Sequence, residues 1–157
     1  MMWFEVLQRI RDALNESGLS IHAKLGALIP QHAEVSRAGT IMLVRGSETK
    51  NDESMQDELL MTFYLEAWVR DDEAEFEPGY NLLASLEDRI EVVLGSIRNS
   101  VGALKESVCV LNCGYQILDI CVKQKVGDLD SMRPLLGTQY TIEVRLFNLN
   151  QNKGGVY

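Results

Sequence analysis

No apolar run in this sequence approaches the ~18–20 residues needed to cross a bilayer as a helix, so no membrane partner is expected. Positive charge is also in short supply: 15 Lys and Arg stand against 23 Asp and Glu, a net charge of −8, and the cations are scattered. Neutralising phosphates takes clustered Lys and Arg, which argues against nucleic acid as a ligand. There are three cysteines, Cys109, Cys113 and Cys121, at a spacing that fits no zinc framework, and His22 and His32 are too far away in sequence to complete a tetrahedral set. The expectation is free thiols in a reducing compartment, with no metal and no cofactor.

Catalytic signatures are missing as well. The chain has no G-x-S-x-G, no cysteine beside a histidine in a recognisable local pattern, and no glycine-rich phosphate cradle. His32 and Ser36 sit at helical spacing, but no third group is placed to orient them, and they read as surface polarity. The start, MMWFEVLQRIRDAL, carries an early acid and no long apolar stretch, so it does not read as a signal peptide. No catalytic residue can be assigned, and a non-enzymatic role is expected.

What is present is an ordinary globular balance, 46% hydrophobic and 24% charged. At this length a single domain buries roughly 68–70% of its unfolded surface, enough for a core without staples. One domain is expected over residues 1–148, with residues 149–157 as a flexible tail. Phe4, Leu7, Ile10 and Leu14 recur at three- and four-residue steps, which predicts an amphipathic helix over residues 2–17. Residues 19–38 show no clean period and contain Pro30, so an irregular connection with a short extended piece is expected.

Residues 40–46, TIMLVRG, read as a strand, followed by a polar loop over 46–57 that is long for a hairpin. From residue 58 to 70 the alternation is clear. Met61, Phe63, Leu65, Ala67 and Val69 mark a core face, and Thr62, Tyr64, Glu66, Trp68 and Arg70 mark an outer one. Leu83, Leu86, Ile90, Val93 and Ile97 predict a helix over residues 79–98, with Gly102 beyond its end. Two further strands follow. In the first, Leu118, Ile120, Val122 and Val126 point inward; in the second, Tyr140, Ile142, Val144 and Leu146 do. Consecutive strand pairs imply a mainly antiparallel sheet of four strands or slightly more, with two helices packed on one face, in an α+β fold.

Between the long strand and the long helix stand Asp71, Asp72, Glu73, Glu75 and Glu77. Their spacing does not match a calcium loop, whereas carboxylates ahead of a helix N-terminus are favoured by its partial positive charge. The acidic corner reads as a solvated junction; the competing reading is a small ligand-binding or enzymatic domain that uses it. With no third helix to cover it, the outer sheet face would display Thr62, Tyr64, Glu66, Trp68, Arg70, Glu143, Arg145 and Phe147, large aromatics mixed with charge, as protein interfaces often are. The hairpin of the second strand is long enough to overhang the helical layer and carry the polar loop to a neighbour.

Several segments taken together resemble the tail terminator, or tail completion, proteins of long-tailed bacteriophages and prophages. They are FEVLQRIRDAL, GTIMLVRGSE with its polar loop, MTFYLEAWVRDDEAE running into GYNLLASLEDRIEVVL, YQILDICVKQKVGDLD and LLGTQYTIEVRLF. The resemblance implies a structural protein of the virion tail, assembled in the bacterial host cytoplasm. It also implies a homo-oligomeric, hexameric ring that caps the tail tube and meets tail-tube and head–tail connector proteins. By position, Ser47, Glu48, Lys50, Asp52 and Glu53 would face the lumen or the tube protein, and the sheet face with Tyr64 and Trp68 would lie at the subunit boundary. Another phage neck or tail adaptor, or a minor tail protein, is the nearest alternative.

Overall fold

The structure is a computed structural model and describes residues 1–29, 34–54, 57–102 and 110–150. In chain order it contains helix α1 (Met2–Asn15), strands β1 (Ala23–Leu25), β2 (Thr40–Lys50) and β3 (Glu58–Arg70), helix α2 (Glu77–Gly102), and strands β4 (Tyr115–Gly127) and β5 (Leu135–Asn148). The expectations attached to Pro30, His32, Cys109 and the tail beyond residue 150 fall outside the described residues.

The alternating residues of β3 and β5 place Met61, Phe63, Leu65, Ala67 and Val69 beside Tyr140, Ile142, Val144 and Leu146 on one buried face. Both helices pack there: α1 through Val6, Leu7, Ile10 and Leu14, and α2 through Leu86, Ile90, Val93 and Leu94. Of the expected α1 stripe, Leu7, Ile10 and Leu14 are buried and Phe4 is not. Val6 is buried, whereas Phe4 is exposed and packs edge-on against Trp3. Helix α2 starts two residues earlier than expected, with Pro78 in its first turn, where a missing amide costs nothing, and it runs on through Gly102.

The sheet has five strands in the order β1-β2-β3-β5-β4; it is mainly antiparallel, as expected, but mixed, because one of its pairings is parallel. The extra strand is the short extended piece of the irregular connection: Ala23, Lys24 and Leu25 pair in parallel with Ile41, Met42 and Leu43. Three residues are too few to show a period, so only its existence was legible. Arg89 of α2 ties this corner down, donating to the carbonyls of Leu19 (3.0 Å), Ser20 (3.2 Å) and Ala38 (3.0 Å) on either side of β1.

Two irregularities shift the expected strand phases. The polar loop is shorter than expected because β2 continues to Lys50 past a bulge between Arg45 and Glu48. Glycine is required at this bulge, since a Cβ on Gly46 would lie 2.2 Å from the Thr62 carbonyl oxygen. In β4 the register slips between Ile117 and Asp119 and again between Val122 and Gln124. Ile117 therefore takes the buried place expected for Leu118, while Val122 and Val126 are 43% and 47% exposed. Lys125, not Val126, turns to the helix layer, where its Nζ meets Glu87 at 2.9 Å and Glu91 at 3.2 Å. Burial, with the Glu87, Glu91 and Asp88 carboxylates nearby, pushes the neighbouring Tyr140 phenol far above its ordinary pKa, so it stays neutral. β3 is paired with β5 from Glu58 to Arg70, and the described residues of the turn after Lys50 project beyond the paired strands.

Glu5 fastens α1 to the turn before β4. Its carboxylate accepts the amides of Asn112 (2.6 Å) and Cys113 (3.1 Å) and pairs with Arg9 at 3.2 Å. Burial alone would raise the Glu5 carboxyl, but these hydrogen bonds outweigh it and hold the group below its usual pKa. A depressed carboxyl contributes stability above its unfolded pKa and loses it as pH falls through the lower, folded value. Glu5→Gln is expected to destabilise the protein by about 1–2 kcal/mol at neutral pH, as loss of charge-assisted hydrogen bonds does. In thermal melts against pH, the gap between wild type and variant should close only below the ordinary carboxylate range.

Candidate functional site: the outer face of the sheet

The face of the sheet turned away from the helices is divided into two unlike halves. At the end where β3 finishes, Trp68 is 9% exposed and packs with Val35, Met42 and Leu135, with Leu28 and Met132 against them. Two segments supply this cover: the connection between β1 and β2, and the turn between β4 and β5. The indole lies across Gly137, its partner on β5; a Cβ there would come within 2.5 Å of the ring. Trp68 Nε1 donates to Glu66 Oε2 at 3.0 Å. The expectation that Trp68 stands on an uncovered face is therefore corrected: it is the centre of a second, smaller core. Arg70 lies beyond this core and pairs with Asp72 in solvent.

The other half has no such cover among the described residues. Cross-strand pairing sets Tyr64 between Val44 of β2 and Thr141 of β5, Thr62 opposite Glu143, Leu60 opposite Arg145, and Glu58 opposite Phe147. Tyr64, Leu60, Val44 and Phe147 are half-buried, and Arg145 is exposed. Charges at the margin are matched: Arg145 lies 3.6 Å from Glu58, and Lys123 lies 3.6 Å from Glu143. Of the eight residues expected at a subunit boundary, Thr62, Tyr64, Glu143, Arg145 and Phe147 come together here, with Glu66 at the margin next to the Trp68 core. Val44 and Leu60 complete the apolar centre. Their sequence signal was the same outward alternation, carried into β2 and to the start of β3.

The five polar residues expected to meet a lumen or partner are split. Ser47, Glu48 and Lys50 belong to β2, with Glu48 3.5 Å from Arg45, and Arg45 in turn stacks 4.1 Å from the Trp3 ring. Asp52 and Glu53 are exposed in the projecting turn, whose first residue, Asn51, donates to Glu58 at 3.0 Å.

The acidic corner does not act as one group. Asp71 is 1% exposed, and its Oδ1 accepts the Glu73 amide at 3.3 Å beside the first turn of α2. It is a buried part of the junction rather than a solvated one. Asp72 is taken by Arg70, and the Glu73 carbonyl accepts Arg133, whose guanidinium also lies 4.4 Å over Phe76. Among the described residues, no three His, Cys, Asp or Glu side chains converge to hold a metal ion. The described cysteines, Cys113 and Cys121, are free thiols, and burial followed by the nearby Glu5 raises the Cys113 pKa. Comparison with family models and with curated proteins gave no match to this chain.

The smaller core has a clear test. Gly137→Ala forces a methyl into the space of the Trp68 ring and is expected to cost about 1–3 kcal/mol, the usual penalty of overpacking. Trp68→Leu combined with Gly137→Ala should recover part of that loss in denaturant titrations, because the two substitutions share one space.

Proposed function

We propose that this chain is the subunit of a non-enzymatic, self-assembling hexameric ring in a phage-type tail, like the tail terminators it resembles. In this reading the ring caps the tail tube and presents a surface for joining the head. One observation carries the proposal: the chain closes one half of its outer sheet face with its own residues, whereas its described residues leave the half centred on Tyr64 open. The composition of that open half supports the reading. An apolar and aromatic centre of Val44, Leu60, Tyr64 and Phe147 is bordered by Thr62, Glu143 and Arg145, the core-and-rim arrangement of protein interfaces.

A ring needs two different surfaces on one subunit that meet head to tail. The open sheet half supplies one, and the helical layer or a sheet edge of the next copy supplies the other. The turn bearing Asp52 and Glu53 projects from one end of the sheet and is the segment we assign to contact with the tube protein or the lumen. The head–tail connector would then meet the opposite end, and the assembled particle would reside in the virion tail.

Mass in solution at micromolar concentration, together with negative-stain micrographs, tests the proposal with and without tail-tube protein. A closed ring is expected. Tyr64→Glu should abolish it while shifting monomer stability by no more than about 1 kcal/mol, since the side chain is only half-buried. A wild-type protein that stays monomeric both alone and with the tube protein would sink the reading.

A further inference from the structure

The end of the molecule where β3 finishes carries an apolar patch that a solvated acidic junction does not explain. Phe76 and Tyr80, four residues apart where α2 begins, are 46% and 49% exposed, with ring centroids 6.1 Å apart. Leu129, in the turn between β4 and β5, is 94% exposed. The two segments are tied to each other. The Tyr80 hydroxyl donates to Asp130, and Arg133 donates to the Glu73 carbonyl at 2.7 Å while its guanidinium lies over Phe76. Both segments, 71–80 and 127–134, lie wholly within the described residues.

Leu129 is held in the left-handed backbone region, with φ at +60°, where an L side chain is disfavoured. Asp128 fixes the turn around it: its Oδ1 accepts the Asp130 amide at 3.0 Å, and its carbonyl accepts the Ser131 amide at 3.4 Å. A leucine that is both strained and solvated adds nothing to the stability of the single chain, and glycine would suit the position better. Presented beside two half-exposed aromatic rings, it has the form of a binding anchor.

Carboxylates border this patch. Residues 71–80 contain no Lys or Arg, and Glu73, Glu75 and Glu77 are exposed and enter no ion pair among the described residues. We infer that this end of the molecule docks a basic, apolar segment of another protein. Phe76, Tyr80 and Leu129 take its apolar side chains, and the bordering carboxylates take its lysines or arginines, since complementary charge around an apolar centre selects the partner. A second copy supplies no such segment: its cations are scattered, and those of α1, β4 and β5 are held in ion pairs.

The docking site goes beyond the ring proposal and does not rest on it. It lies at the opposite end of β3 from the turn bearing Asp52 and Glu53 and uses none of the residues centred on Tyr64. The test is fluorescence anisotropy of the full chain with a labelled lysine–leucine peptide, its leucines at helical spacing, in about 0.15 M salt. Binding at micromolar concentration is expected, and an oligolysine of equal charge should bind about tenfold more weakly, because it offers nothing to the apolar anchors. Leu129→Gly changes no charge and should lower the affinity about tenfold, while the variant melts no lower than wild type because the backbone strain is relieved. Glu75→Gln with Glu77→Gln should weaken binding by about the same factor. Asp52→Asn with Glu53→Gln, which removes as much charge at the other end, should leave it unchanged, as should Tyr64→Glu, which separates this contact from the ring. Absence of binding, an oligolysine that binds as tightly, wild-type affinity in Leu129→Gly or in the Glu75 and Glu77 double variant, or an equal loss from the Asp52 and Glu53 double variant would overturn the inference.

Discussion

Strand β3 runs through the middle of the sheet, joined on one side to β2 and on the other, along its whole length, to β5. Its inward residues, from Met61 to Val69, are 0–1% exposed under both helices, and much of the apolar burial that stabilises the fold is collected there. That burial fixes the register of the sheet, because a slip of one residue would turn Phe63 and Leu65 to the outside and Tyr64 and Glu66 to the core. With the register fixed, the outer face is fixed too. Trp68 must emerge opposite Gly137, and Tyr64 must emerge between Val44 and Thr141.

The outer face then has to be protected or used, and the molecule treats its two ends differently. Around Trp68 it spends the connection after β1 and the turn before β5 on a lid of Leu28, Val35, Met132 and Leu135. Around Tyr64 the described residues form no lid, and half-buried aromatics stand there with paired charges at the margin. A chain able to cover one aromatic and leaving the other open is the physical basis for placing self-association on the open half.

Long strands and long helices were legible because their periods repeat. The core face of β3, the inward set of β5 and the stripe of α2 could be read residue by residue from their alternation. Features lasting one to three residues could not. β1 is too short to show a pattern, and each slip in β4 reverses the phase after a single residue, which exchanged Leu118 for Ile117 and Val126 for Lys125. Trp68 was misplaced for a related reason: its cover comes from Leu28 and Val35 in the connection after β1 and from Met132 and Leu135 before β5, and these follow no period that would mark a packing face. In the acidic corner, composition suggested five equivalent acids. Only the fold distinguishes buried Asp71 from Asp72 in solvent, since that depends on which carboxylate ends up beside the first turn of α2.

The central claim is that the open half of the outer face becomes covered when copies assemble, and oxidative footprinting reads this residue by residue. Tyr64 and Phe147 should be modified several-fold more slowly in the concentrated, assembled protein than in dilute monomer. Tyr80, 49% exposed at the opposite end of the molecule, should react alike in both. Equal modification of Tyr64 in both states, with assembly demonstrated by mass, would contradict the account.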